Sequence, residues 1–137
     1  ELRQLFRSMV LNVLGGNVDV HNKNFSFLMG NDGGWHVAPA YDYTFSVDPD
    51  APYYVNRHSM TVNNKTEGIA AEDLMEVARR YGIKAAEPFI EKAIGIVSRY
   101  PEYGREAGVG EEWIKTIEKE ITARVECVSD NRTGRLK

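Results

Sequence analysis

The sequence predicts a single α+β domain, mainly α, and three observations carry that prediction. Apolar residues recur at helical spacing near the start of the chain and again over its second half. One pair of short β-favouring runs brackets a Gly-rich turn. Clusters of Gly, Pro and Asn separate these segments. At 137 residues the chain has the length of one domain.

The elements follow in order. Leu2, Leu5, Phe6, Met9, Val10, Val13 and Leu14 lie on one face of a helix over residues 2–14. Gly15 and Gly16 stop it, because glycine readily takes the left-handed cap conformation. Residues 17–24 are polar and aperiodic, so they form a loop. Phe25–Met29 and Trp35–Val37 read as the two strands of a hairpin around Gly30-Asn31-Asp32-Gly33-Gly34, and Pro39 ends the ladder because it has no N–H to donate. Phe25, Phe27 and Trp35 are expected to pack between hairpin and helix. Residues 43–65, with Asp48-Pro49-Asp50-Ala51-Pro52, form a long irregular loop, a kind that is usually functional or mobile.

Three further helices are expected. The first covers Ala71–Tyr81, closed by Gly82, with Glu72 and Asp73 at the positive end of its dipole. The second covers Ala85–Tyr100, with Pro88 in its first turn and Pro101 just past its end. The third covers Gly110–Val128, with Trp113, Ile114, Ile117, Ile121 and Val125 as one buried stripe. The domain is thus drawn at residues 1–128, and the polar residues 129–137 read as a disordered tail. Because the chain opens on Glu1 already inside a helical pattern, it is expected to be a piece of a longer protein.

Composition narrows the function classes. A net charge of −3 and a pI near 5.6 argue against direct nucleic-acid binding by this chain. No apolar run approaches the roughly 20 residues that a membrane-spanning helix needs, so no membrane association is expected. Cys127 is the only cysteine, which excludes an intrachain disulfide framework and a multi-Cys zinc site, and points to a reducing, cytoplasmic setting. It is expected to act as a small buried hydrophobe. Arg79 and Arg80 are expected in solvent, and His36 and His58 in structural or surface roles.

The chemistry concentrates in Asn17-Val18-Asp19-Val20-His21-Asn22-Lys23-Asn24, with a further acid, Asp42, delivered by the far side of the hairpin. Phosphoryl transfer calls for this set: one carboxylate to accept a hydroxyl proton, an amide oxygen and a second carboxylate to hold Mg²⁺, and a cation to offset charge on the transferred group. Mg²⁺ takes hard oxygen ligands and keeps several waters, so one Asn and one Asp suffice when phosphates supply the rest. Asp19 and Asn24 are five residues apart, the spacing between base and metal-binding Asn in kinase catalytic loops. The side-chain oxygen of Asn24 and the carboxylate of Asp42 are therefore expected to face one another across a Mg²⁺-sized space, with Asp19 on the same side.

Gly16-Asn17-x-Asp19-x-His21-x-Lys23-Asn24-Phe25-Ser26, followed by Ala38-Pro39-x-Tyr41-Asp42, resembles the C-terminal region of HipA-like serine/threonine kinases, the toxins of bacterial toxin–antitoxin pairs. Met60–Lys65 with Gly68-Ile69 resembles the family's post-catalytic segment, and the likeness runs to about residue 128. It implies a protein-kinase-like C-terminal lobe in which one short hairpin carries the catalytic loop and the metal-binding Asp. Asp19 would be the proton acceptor, and Asn24 and Asp42 the Mg²⁺ ligands. His21, Asn22 and Lys23 would lie along the ATP phosphates, Lys23 as the compensating cation, with Tyr41 bordering the nucleotide. The implied partners are a protein substrate and a HipB-like DNA-binding antitoxin. Asn17-Val18-Asp19 and Asp42-Tyr43-Thr44 stand where eukaryotic kinases carry His-Arg-Asp and Asp-Phe-Gly. A phosphate-clamping loop and an ATP-positioning Lys have no counterpart in the chain, so the isolated piece is expected to be nearly inactive.

Two other readings compete. A metal-dependent hydrolase would use Asp19, His21, His36 and Asp42 on Zn²⁺ or Mn²⁺, which imidazoles favour over Mg²⁺, but leaves Lys23 among the ligands without a role. A catalytically silent module would use its helices to bind a partner protein.

Overall fold

The computed structural model describes residues 1–133. They form a mainly helical α+β fold with one two-stranded antiparallel sheet. Helix α1 spans Leu2–Leu14, as the apolar spacing predicts, and buries Phe6, Val10, Val13 and Leu14. Helix α2 spans Ala71–Arg80 and α3 spans Ala86–Val97. Short α4 spans Tyr100–Glu106, and α5 spans Glu111–Thr133. Helices α1, α2, α3 and α5 share one core, in which Val10, Leu14, Leu74, Ile90 and Val128 are wholly excluded from water. Each such side chain contributes about 1.5–3 kcal/mol through burial.

Three expectations about the helices change. The helix expected to run to Tyr100 stops at Val97, and Pro101 lies in the first turn of a separate helix, α4, so four helices follow the long loop rather than three. A proline lacks the N–H that the first turn leaves unpaired anyway, so it starts a helix as readily as it follows one. Trp113 is 58% exposed, while Ile114, Ile121 and Val128 carry the buried stripe of α5; Trp113 sits about 100° round the helix from Ile114. Helix α5 also continues through Thr133, past the boundary drawn at Val128. The end of the expected tail, residues 134–137, lies outside the described residues.

Strands β1 (Phe27–Met29) and β2 (Trp35–Val37) pair antiparallel with Leu28 opposite His36. The turn closes as its residues predict: Gly30 N–H bonds the Gly34 carbonyl at 2.8 Å, and Asp32 Oδ1 accepts Gly34 N–H at 3.0 Å. The expected hairpin-to-helix core does not form. Phe27 and Trp35 are 55% and 64% exposed, and Phe25 is half-buried. The hairpin meets the start of α1 through Gln4 Nε2 on the Ala38 carbonyl (3.2 Å) and, from the residue before the helix, Glu1 Oε2 on Val37 N–H (2.7 Å), while Leu28, Met29 and Trp35 stay exposed.

The loop after Asp42 is irregular apart from one 3-10 turn at Tyr53–Asn56 and a tight turn at its end. There Asn63 and Asn64 both take left-handed φ values, +49° and +64°, and Val62 and Lys65 exchange two backbone hydrogen bonds. That pattern is a type I′ turn, for which Asn is suited. Buried Asp73, in the first turn of α2, ties this turn to the helix: it accepts Ala70 N–H (2.9 Å), Lys65 Nζ (2.8 Å) and Asn63 Nδ2 (2.9 Å). Burial alone would raise the Asp73 pKa; those hydrogen bonds outweigh it and hold the carboxyl below its ordinary value. Among the described residues no helix is long and apolar enough to cross a membrane.

Candidate active site

The site is built where α1 ends. Gly16 takes φ +72°, which turns the chain out of the helix. Gly15 does not use the left-handed cap expected of it, with φ at −85°. Its role is space: a Cβ there would overlap the Tyr43 hydroxyl, which donates to the Leu11 carbonyl in the last turn of α1. Burial pushes that hydroxyl up to about 12, so it remains a donor at any working pH.

Asn17 follows and is buried at 4% exposure. Its Nδ2 donates to Asn12 Oδ1 (3.0 Å) and to the Asp42 carbonyl (3.2 Å), joining α1, the loop and the far arm of the hairpin. Ser46 completes the joint. Its Oγ accepts the N–H groups of Val18 (2.8 Å) and Asp19 (3.1 Å) and donates to Asn17 Oδ1 (3.4 Å). Ser59 N–H holds the Val18 carbonyl at 2.8 Å. The backbone of Val18 and Asp19 is thus held by three hydrogen bonds from Ser46 and Ser59 while the Asp19 carboxylate is exposed, with no hydrogen bond or ion pair among the described residues.

Asn22–Asn24 then form a single 3-10 turn. His21 N–H donates to Asn24 Oδ1 (2.9 Å), and Asn24 N–H donates back to the His21 carbonyl (3.0 Å). Asn24 Nδ2 reaches Asp42 Oδ2 at 2.5 Å. The two residues expected to converge therefore do, but through the nitrogen of Asn24 and in direct contact rather than across a gap. The opposite amide orientation would set an NH₂ against the His21 N–H, donor against donor, so the oxygen is committed to the loop. Asp42 sits at φ +56°, a left-handed conformation that Asp tolerates better than most residues. Tyr41 OH donates to the Lys23 carbonyl at 2.8 Å, a second tie between the arms. Asn22 and Lys23 point into solvent, and Nδ1 of His21 is buried with no partner among the described residues.

A family model described as the HipA-like C-terminal domain matches residues 1–119. The chain belongs to that family. No curated protein and no solved structure matches it. The match to the HipA-like domain takes in the whole loop, the hairpin, Asp42 and helices α1 to α4.

The donors of the HipA-like domain suit Mg²⁺ in kind. Asp42 offers a carboxylate, and Asn24 Oδ1 keeps a second lone pair beside the one His21 N–H occupies. The hydrolase set does not assemble. His36 is out on the hairpin, 3.3 Å from Glu1, and no three of the described His, Cys, Asp and Glu residues could hold one metal ion. A small pocket of about 30 Å³ lies between the arms, lined by Asn12, Asn17, Asn24, Tyr41, Asp42 and Tyr43. A larger cavity of about 400 Å³ lies behind Val20 and Phe25, lined by apolar residues such as Phe6, Met9 and Val62, and none of the proposed acids reaches it.

Asn17 and Tyr43 stand within the quoted motifs without a role assigned by them, and Ser46 and Ser59 lie outside those motifs. Asn17 carried a readable signal, a polar residue directly after a helix-ending glycine pair. Ser46 carried none, because its partners lie 27 and 28 residues upstream.

Proposed function

We propose that this HipA-like domain is the catalytic lobe of a serine/threonine protein kinase that moves the γ-phosphate of ATP to a protein hydroxyl, acting as the toxin of a toxin–antitoxin pair. The observation that carries the reading is the contact between Asn24 and Asp42, 18 residues apart, beside the loop that presents Asp19. An amide and a carboxylate from two arms meet where a phosphate-bound Mg²⁺ needs both.

Asp19 takes the proton as the substrate oxygen bonds to the γ-phosphorus and the bond to the β–γ bridging oxygen breaks, leaving ADP. Its carboxylate, exposed and without a partner among the described residues, suits a base that must reach a substrate hydroxyl. Asn24 and Asp42 would hold Mg²⁺, which would supply the charge that offsets the phosphates. Lys23 offsets charge on the transferred group, and His21 and Asn22 line the phosphates. Tyr41 borders the nucleotide and, through the Lys23 carbonyl, sets the spacing of the arms. The exposed blade of the hairpin is where a nucleotide-clamping lobe would pack, so calorimetry on the 137-residue chain alone is expected to show weak ATP–Mg²⁺ binding or none. The cytoplasm and a HipB-like DNA-binding antitoxin belong to the same proposal.

The test is a Mg²⁺ titration of phosphorylation by the full-length protein carrying Asp19→Asn or Asp42→Asn. Asp42→Asn should regain part of its activity at high Mg²⁺, because a ligand is weakened. Asp19→Asn should be unresponsive, because a base is gone. Near-wild-type phosphorylation by Asp19→Asn would overturn the assignment.

A further inference from the structure

We infer that Arg124 and His58 are positioning residues, forming a polar relay that runs from helix α5 to the loop presenting Asp19. Its effect on rate rests on the kinase reading; its effect on the loop rests on geometry alone. Arg124 Nη1 lies 3.3 Å from His58 Nε2. An arginine can only donate, so Nε2 must accept, and the imidazole proton is forced onto Nδ1. On its other side the ring faces the Asn17 backbone, whose influence favours the protonated ring and so points to the Asn17 carbonyl. The next residue grips the loop directly, Ser59 N–H bonding the Val18 carbonyl (2.8 Å), while His58 N–H bonds the Thr66 carbonyl (2.8 Å) and so fixes the segment that carries the ring. From Asn17 the path continues through Nδ2 to the Asp42 carbonyl.

The arrangement is costly, which argues for a purpose. The Arg124 side chain is half-buried, its Nε has no partner among the described residues, and its ring partner is uncharged, so its charge is offset from a distance, chiefly by the Glu120 carboxylate. Burial, with the Arg124 charge added, pushes His58 down to about 4, so the imidazole is neutral at pH 7 and can play the one-way part the relay requires. A leucine pair would fill the same space without desolvating a charge. What the polar pair adds is direction: it aims one N–H at one carbonyl, two residues before Asp19.

The experiment compares Arg124→Met, Arg124→Lys, His58→Leu and His58→Gln with the unaltered full-length protein. Amide hydrogen exchange in Arg124→Met should accelerate about tenfold at Val18 and Asp19 and stay unchanged at Leu74 and Ile90 in the core. At pH 7.5 the imidazole nitrogen spectrum should change from a single Nδ1–H tautomer to a mixture. In phosphorylation assays kcat should fall about 3–30-fold in Arg124→Met and His58→Leu, with KM for ATP unchanged and partial recovery in Arg124→Lys and His58→Gln. Equal acceleration across loop and core would mean a merely structural pair and overturn the relay, as would no change in exchange or tautomer. Unchanged kcat in Arg124→Met, in a protein that Asp19→Asn inactivates, would overturn the positioning role. Loop-confined acceleration in a protein whose activity ignores Asp19→Asn would uphold the relay and sink the kinase reading instead.

Discussion

The helical core and the two-armed site are held by different forces. In the core, Val10, Leu14, Leu74, Ile90 and Val128 exclude water completely. Burial is non-directional, so it holds helices together without setting any one atom finely. In the site, Asp19, Asn22, Lys23, Tyr41 and Asp42 are all exposed. Position there comes from directed hydrogen bonds of Asn17, Ser46 and Tyr43. Each adds only about 0.5–1.5 kcal/mol net, but each fixes an orientation. Stability is therefore concentrated in one region and precision in the other, and buried Asn17 joins them through Asn12 of α1 and the Asp42 carbonyl.

Substitutions can break that division or sharpen it. The largest expected effect is on rate: Asp19→Asn should slow phosphorylation by about 10²–10⁴ while leaving the thermal midpoint unmoved, since its carboxylate bonds none of the described residues. Calorimetry beside a phosphorylation assay checks both. Next, Leu74→Ala or Ile90→Ala should cost about 2–5 kcal/mol in urea unfolding, with unchanged kcat per folded molecule. If kcat fell in step with stability, the two regions would not be separable. Asn17→Ala should fall between, losing about 1–3 kcal/mol through its stranded partners and also losing activity as Asp42 and the loop part company.

A pH experiment probes the seam between the regions. His58 is held at about 4 when folded, against 6.5 for the free side chain. The unfolded chain then binds more protons between those values, so stability is full above 6.5 and is lost as pH falls toward 4. Denaturant unfolding at pH 7.5 and pH 5 should differ by about 1–2 kcal/mol from this residue, and His58→Gln should remove that share. Asp73, held below 3.8, loses its contribution only at lower pH still. The smallest effect belongs to the hairpin blade: Trp35→Ala should stay within about 0.5 kcal/mol, and a larger loss would mean that Trp35 packs against something despite its exposure.

Legibility followed the same division. The steps of three and four from Leu2 to Leu14 placed α1 to the residue, because a helix repeats locally. Gly30–Gly34 announced the hairpin through turn chemistry alone. Pro101 misled because one residue type serves both the end and the start of a helix. The exposure of Phe27, Trp35 and Trp113 was not legible, since an apolar side chain does not say whether a partner is within reach.

By itself the sequence determined α1 and α2, the turn, the family motif and the supply of donors and acids on either side of the hairpin. These depend on neighbours a few residues away, where spacing alone decides which face or φ value a residue takes. Only the tertiary structure decided that Asn24 meets Asp42 with its nitrogen while its oxygen serves His21, that Ser46 grips the backbone under Asp19, and that Arg124 stands behind His58. Those contacts, apart from the short bond to His21, join residues 18 to 66 positions apart. Hydrogen-bond direction at such range is set by how the helices pack, and no local pattern encodes it.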